Sequence, residues 1–348
     1  MNFLRTLFLL LPLACSAQTI QGNVQNGTTG KPEPGHQVIL FTSAGEQARA
    51  TTNENGAFQI DLRANLAPHS LAILKVIHAG VDYFKTVASG QVTNVRVYDS
   101  SRQVSGISGY LSILQFQVKG KLLQVTELHA FNNASSPPVT RSGSDNLVIT
   151  IPEGAHVDPT TVSAPDGGSS KLPLVWIPGQ GGKYSIDFPM KPGLTKYAIR
   201  YEVPYAGELM FRRQVQYPMK RIGVIVPESM HFRSLGSKSF RAVVDQPGTH
   251  EQVLDGLGAS EGFAFELSGN GALAKSFRPL TPGEPSRSNG AKTVMNVPGP
   301  RGESLGRSAS PSRARSGIPG YPVILAIGIL LLVGILLLGI MQKRVPRV

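Results

Sequence analysis

The sequence predicts an all-β protein: tandem β-sandwiches, then a disordered linker, then one C-terminal transmembrane helix. Three observations predict it. Runs of alternating apolar and polar residues recur from Thr19 to Leu267, punctuated by Gly, Pro and Asn; a spacing of about 8–12 residues between such runs belongs to strands. The chain holds 38 Gly and 26 Pro but only 16% charged residues, against roughly 25% in an average soluble protein. Both weigh against a helical bundle or a coiled coil. Finally, an unbroken apolar stretch lies close to the C-terminus. An apolar content of 41% excludes a wholly disordered chain.

At the N-terminus, Arg5 precedes an apolar run from Leu7 to Ala14, and Cys15-Ser16-Ala17 supplies small residues for cleavage between Ala17 and Gln18. Residues 1–17 are expected to be a secretory signal peptide, too short to cross a bilayer. Cys15 is the only cysteine and lies inside this segment. The mature chain is therefore expected to lack disulfides, Cys-ligated metals and a Cys nucleophile. The alternative is a lipid anchor on Cys15, but Pro12-Leu13-Ala14 places Pro where that pattern carries Leu.

Residues 18–100 are expected to form the first sandwich. The strand runs are Thr19 to Val24, His36 to Phe41, Ala48 to Thr52, Phe58 to Leu62, Leu71 to His78, Val81 to Thr86 and Val92 to Tyr98. Asn26-Gly27, Gly30-Lys31-Pro32 and Asn55-Gly56 are turn signals between them. Phe58, Ile60 and Leu62 share one face, with Gln59 and Asp61 on the other. The set Gly22-x-Val24, Gly30-x-Pro32-x-x-Gly35-x-x-Val38-x-Leu40 and Thr52-x-x-x-Gly56-x-Phe58-x-Ile60 resembles the carboxypeptidase regulatory-like domain family. The resemblance covers residues 18–98. It implies a transthyretin-like (Ig-like) β-sandwich with an adjunct role rather than a reaction.

Residues 101–274 continue in the same style and are expected to form a second β-sandwich region, as one domain or two small ones. Leu123 to Phe131 alternates, Leu147 to Ala155 is a strand entering a turn, and Tyr184 to Phe188, Lys196 to Val203, Arg221 to Val226, Met230 to Arg233 and Phe263 to Leu267 follow. Trp176, the only tryptophan, is expected to pack in the core. This layout is similar to the part that accompanies the regulatory-like domain in membrane-anchored envelope proteins of acidobacterial type.

Residues 275–319 are a Pro/Gly/Ser/Arg-rich linker, carrying Arg287, Lys292, Arg301, Arg307, Arg313 and Arg315 against Glu284 and Glu303. Such a composition gives an extended, solvated spacer. Residues 320–341 form the expected transmembrane helix. Pro322 to Met341 is free of charge, long enough at ~1.5 Å per residue to match a hydrocarbon core of ~30 Å. Residues 342–348 form a basic tail with Lys343, Arg344 and Arg347. Local charge is balanced across the span, so the expected signal peptide sets the orientation. The ectodomain is placed outside, or in the periplasm, and the C-terminus in the cytoplasm, which makes a single-pass inner-membrane protein. No GxxxG pair supports dimerisation of the span, and the sequence leaves the oligomeric state open.

Chemistry is scarce. His250-Glu251 begins an HExxH motif, but Leu254 stands in place of the second His. His156-x-Asp158 lies beside Pro159 and is expected to be incidental. Gly258-Ala259-Ser260-Glu261-Gly262 matches GxSxG, yet strand-period Phe263, Phe265 and Leu267 follow where a nucleophile elbow needs a helix. Gly269-x-Gly271-x-x-Ala274 imitates a dinucleotide fingerprint, but Pro279 stops the helix that would receive phosphate. No phosphate-binding loop occurs. Asn26-Gly27-Thr28 and Asn133-Ala134-Ser135 match glycosylation sequons and read as turns. The net charge of +12 sits largely on the linker and tail, without the aromatic interleaving of a nucleic-acid site. No catalytic residue, metal site or cofactor is expected, and no nucleic-acid partner. The expected function is non-catalytic: a membrane-anchored ectodomain that contacts the lipid bilayer and binds or scaffolds an envelope protein or polysaccharide. The alternative is an accessory subunit of an envelope hydrolase or assembly system.

Overall fold

A computed structural model describes residues 18–62, 71–88, 92–243 and 248–273, and every regular element among them is a β-strand. Residues 1–17, the linker, the apolar run from Pro322 to Met341 and the tail lie outside the described residues. Among the described residues no helix is long and apolar enough to cross a membrane.

The first seven strands are β1 (Gln18–Asn26), β2 (Gln37–Thr42), β3 (Gly45–Thr51), β4 (Ala57–Leu62), β5 (Leu71–His78), β6 (Val81–Ala88) and β7 (Val92–Val97). They form a three-stranded sheet, β4-β1-β7, and a four-stranded one, β3-β2-β5-β6. Strand β1 pairs antiparallel with β4, Ile20 opposite Ile60, and parallel with β7, Val24 opposite Val95. Alternation dictates the faces. In β7, Thr93, Val95 and Val97 are buried while Val92, Asn94 and Arg96 are exposed. Ile20, Val24, Phe58, Ile60 and Val95 pack with Val38, Leu40, Leu74, Val76 and Tyr83 into one buried cluster. Burying a side chain of this size contributes about 1.5–3 kcal/mol each. Gly22 is not a turn glycine. It sits inside β1, where an added Cβ would lie 1.9 Å from the Thr93 carbonyl oxygen of β7. Gly56 has a turn role as well as a close approach: its φ is +70°, and a Cβ there would meet the Val24 carbonyl oxygen at 2.5 Å.

The remaining strands are β8 (Ser100–Ser101), β9 (Ile107–Lys119), β10 (Leu122–Asn133), β11 (Thr140–Arg141), β12 (Leu147–Thr150), β13 (His156–Val157), β14 (Thr160–Ser163), β15 (Ser169–Leu172), β16 (Val175–Trp176) and β17 (Lys183–Ile186). They continue as β18 (Gly193–Pro204), β19 (Glu208–Gln214), β20 (Met219–Pro227), β21 (Met230–Leu235), β22 (Arg241–Ala242), β23 (Thr249–Leu257) and β24 (Gly262–Gly269). One large sheet runs β15-β14-β18-β10-β9-β20-β23-β22, with β13 also paired to β18. Two three-stranded sheets, β12-β17-β16 and β19-β24-β21, complete this part. Leu114, Phe116, Leu123 and Val125 of the large sheet share a second buried cluster with Ile149, Ile186, Phe211, Phe265 and Leu267 of the smaller ones. Phe211 stacks on Phe265 at 4.9 Å between centroids, and Phe116 meets both edge-on, the geometry that aromatic quadrupoles favour.

The two buried clusters are joined by polar contacts. Tyr83 donates to the Tyr98 carbonyl at 2.9 Å and meets Thr140 Oγ1 at 2.8 Å. Burial pushes its hydroxyl up to about 12. Buried Lys191 pairs with Asp166 and lies 4.9 Å above the Tyr83 ring, and Asp166 also accepts the Phe84 amide at 2.9 Å. Strands β8 and β11 form a short parallel pair across the same junction.

Trp176 corrects a sequence expectation. It is 55% exposed on β16, the edge of its sheet, so it does not pack in the core.

Candidate functional site

Strand β10 carries an unusual core face. Its odd-numbered positions from Leu123 to Asn133 are buried, which places Glu127 and His129 among apolar side chains. His129 stands directly opposite Ser112 of β9 in the ladder. Ser112 Oγ and His129 Nδ1 are 2.8 Å apart, and His129 Nε2 is 2.8 Å from Glu127 Oε2. An ionised carboxylate only accepts, so Nε2 carries the proton and Nδ1 accepts from the Ser112 hydroxyl in the neutral ring. The Ser–His–Glu succession is that of a hydrolase triad, but the ring is reversed: a triad histidine faces its serine with Nε2 and its carboxylate with Nδ1.

The surroundings bind this array into a dense set of charge-assisted contacts. Arg213 of β19 crosses the core and grips both Glu127 oxygens. Tyr201 of β18 donates to Glu127 Oε1 at 2.7 Å. Burial alone would push the Glu127 carboxyl up, but the Arg213 guanidinium and the His129 hydrogen bond hold it well below the usual carboxylate range. The same burial drives the Tyr201 hydroxyl far up. A triad carboxylate must answer the charge forming on its histidine, and here Arg213 already answers the carboxylate. Ser112 is 3% exposed, His129 6% and Glu127 0%. A shallow surface groove of about 530 Å³ touches Arg213 and Thr150, but neither Ser112 nor His129 lines it.

The motifs seen in the sequence resolve differently. Ser260 occupies the turn between β23 and β24 with φ +62°. A strand follows it, so the elbow geometry is absent there. His250 and Glu251 lie on a strand, β23, not on a helix. His156 is exposed on the short strand β13. Asn26 and Asn133 are 3% and 4% exposed. Asn26 Oδ1 accepts the Thr28 and Thr29 amides, and Asn133 Nδ2 donates to the Val139 and Met190 carbonyls. Both sequons are therefore inward-facing turn locks.

A second cluster escaped the sequence reading. Glu33 and His36, in the turn before β2, meet His78 at the end of β5, with one ligand-type atom from each within 4.8 Å of the others. His36 Nε2 and His78 Nδ1 are 2.9 Å apart. Glu33 Oε2 is 3.6 Å from His36 Nδ1 and 3.7 Å from His78 Nδ1. Thr52 pins the turn: its Oγ1 accepts the His36 amide at 2.8 Å and donates to the Glu33 carbonyl at 2.7 Å. Asn26 Nδ2 donates to Glu33 Oε1 and to Asp99 Oδ1, both at 2.7 Å. The sequence signal was a Glu-x-x-His spacing whose partner, His78, lies 42 residues further on. Only the β2–β5 pairing of this fold brings them together.

No family model matches the chain, and no curated protein matches it. Among solved structures, an M1 zinc metallopeptidase from Deinococcus radiodurans is similar at 12% identity, over 47% of this chain and 42% of that one, with a TM-score of 0.28. A candidate protease from Parabacteroides distasonis is similar at 14% identity, over 48% and 41%, with a TM-score of 0.31. The chain spans less than half the length of either. Likeness at this level transfers no activity.

Proposed function

We propose that this chain is an exported, membrane-anchored protein whose tandem β-sandwiches bind or scaffold an envelope partner and carry no hydrolase chemistry of their own. The observation that carries this reading is the fate of the Ser112–His129–Glu127 array. Its carboxylate is neutralised by Arg213, and its serine is closed off from solvent. Such an array, with its histidine reversed relative to a triad and its carboxylate bound by Arg213 from a second sheet, supports a role in holding two sheets together. The resemblance to the carboxypeptidase regulatory-like family supports the same adjunct role. The expected signal peptide and the run from Pro322 to Met341 supply export and anchoring in the inner membrane. The ectodomain then stands outside on its linker, and Lys343, Arg344 and Arg347 remain in the cytoplasm.

Edge strand β16 favours a polysaccharide as partner over a protein. Its Trp176 is exposed, and a flat aromatic face suits a sugar ring. Crosslinking of the full-length chain in its own membrane, with mass-spectrometric identification of what is joined to residues 18–273, tests the reading. Wall polymer at β16 is the expected product. One protein at near-equal amount would assign an accessory subunit instead. Recovery of the chain alone, with neither polymer nor protein attached, would sink the binding reading.

A further inference from the structure

The partners of His36 and His78 set which ring nitrogens face each other. His36 Nδ1 lies 3.0 Å from the Pro34 carbonyl oxygen. A carbonyl only accepts, so the neutral ring is protonated on Nδ1 and its lone pair is on Nε2. That lone pair faces His78 Nδ1 at 2.9 Å. On its other side, His78 Nε2 faces the Asp99 carboxylate at 3.5 Å, again an acceptor only. Neutral His78 can carry its proton on Nδ1 and donate it to the His36 lone pair, so the two nitrogens converge on one position that a proton or a cation can fill. Loss of that proton to solvent leaves both nitrogens free to turn a lone pair towards one ion, as metal ligands do. Glu33 Oε2 adds negative charge 3.7 Å from His78 Nδ1.

We propose that Glu33, His36 and His78 form a binding site for a divalent first-row transition cation, with Zn²⁺ as the reference ion. Two imidazoles and one carboxylate suit Zn²⁺ and its borderline neighbours. Ca²⁺ and Mg²⁺ require shells made mostly of oxygen. Zinc holds imidazole nitrogens at ~2.0–2.1 Å, which sets two such ligands about 3.3 Å apart in a tetrahedron. The observed 2.9 Å needs only a small ring rotation to reach it.

Each ligand also has the outer partner that metal ligands usually have. The Pro34 carbonyl fixes His36, Asp99 faces His78, and Asn26 occupies Glu33 Oε1 so that Oε2 is turned towards the histidines. The ligand side chains are 12–21% exposed, which lets an ion enter and leaves a coordination position for water or a partner's donor. The backbone is held by Thr52 whether or not an ion is bound. The site lies outside the buried Ser112 array and does not depend on the proposed function.

The test is calorimetric titration of the untagged, chelator-treated full-length chain with zinc chloride alone. One ion per chain is expected. His36→Ala and His78→Ala are each expected to weaken binding at least tenfold, and Glu33→Gln severalfold. His156→Ala and His231→Ala, at exposed histidines, are expected to change nothing. Comparing thermal melts in chelator separates lost ligation from lost folding. If a ligand variant does not fold, zinc protection of His36 and His78 from acylating reagents in the wild-type chain gives the same reading. No stoichiometric uptake, or unchanged affinity or protection at these two histidines, would overturn the proposal.

Discussion

Every acceptor position on Glu127 is taken: Arg213 on both oxygens, Tyr201 on one and His129 on the other. Removing Glu127 or Arg213 leaves an opposite charge buried without compensation. Glu127→Gln or Arg213→Met is therefore expected to lower stability by about 3–5 kcal/mol, while Glu127→Leu combined with Arg213→Met recovers most of the loss. Urea unfolding of the three variants checks this; equal losses in single and double variants would contradict it. Ser112→Ala should cost only about 1 kcal/mol, the worth of one neutral hydrogen bond. The sign of the acid dependence follows. The folded-state value of Glu127 lies below the ordinary 4.5, so its contribution is complete above that pH and is lost as pH falls through the folded value. The apolar double variant should show a flatter acid limb. The phase of β10 made this network partly legible. Leu123, Val125 and Phe131 define a core face, and Glu127 and His129 break it. What the residue order did not carry was Arg213, on a strand 86 positions away, that turns a triad-like array into an ion pair.

Among the elements, β1 shows what alternation reveals and what it hides. Ile20 and Val24 announce a core face, and the structure packs both. Gly22 falls inside the expected strand run Thr19 to Val24, where alternation gives no reason for a glycine. Only the parallel pairing with β7 explains it, since the Thr93 carbonyl occupies the space a side chain would need. Gly22→Ala is expected to cost about 3 kcal/mol through forced separation of two strands. Gly30→Ala, where nothing lies within 4 Å of the added carbon, should cost about 1 kcal/mol from its positive φ alone. Thermal melts of the pair separate the two causes, and similar losses would count against the close-approach account. The seven strands of the first part were legible because each runs for at least six residues, by alternation in β7 and as a continuous apolar run in β2. Strands such as β13 and β16, two residues each, are too short to display a period, and Trp176 was misplaced for that reason.

For the molecule as a whole, the question is whether its two buried clusters melt as one. Tyr83 bridges them through Thr140, and Lys191 sits over its ring while paired with Asp166. Burial pulls the Lys191 ammonium below its ordinary value, and the ion pair with Asp166 offsets only part of that inside the junction. Tyr83→Phe combined with Lys191→Met is expected to turn a single calorimetric transition into two, with the earlier one belonging to residues 18–98. A single sharp transition in that variant would show that the coupling lies elsewhere. None of this junction could be read from the sequence, because Tyr83, Thr140, Asp166 and Lys191 come from four separated segments that only the folded chain assembles.

The exposed Trp176 also makes the protein its own reporter. With one indole in the chain, set at a sheet margin and away from both hydrophobic interiors, intrinsic fluorescence carries one local signal uncontaminated by other tryptophans. Its emission colour follows the wetness of β16, so whatever covers that margin would announce itself optically, without a label.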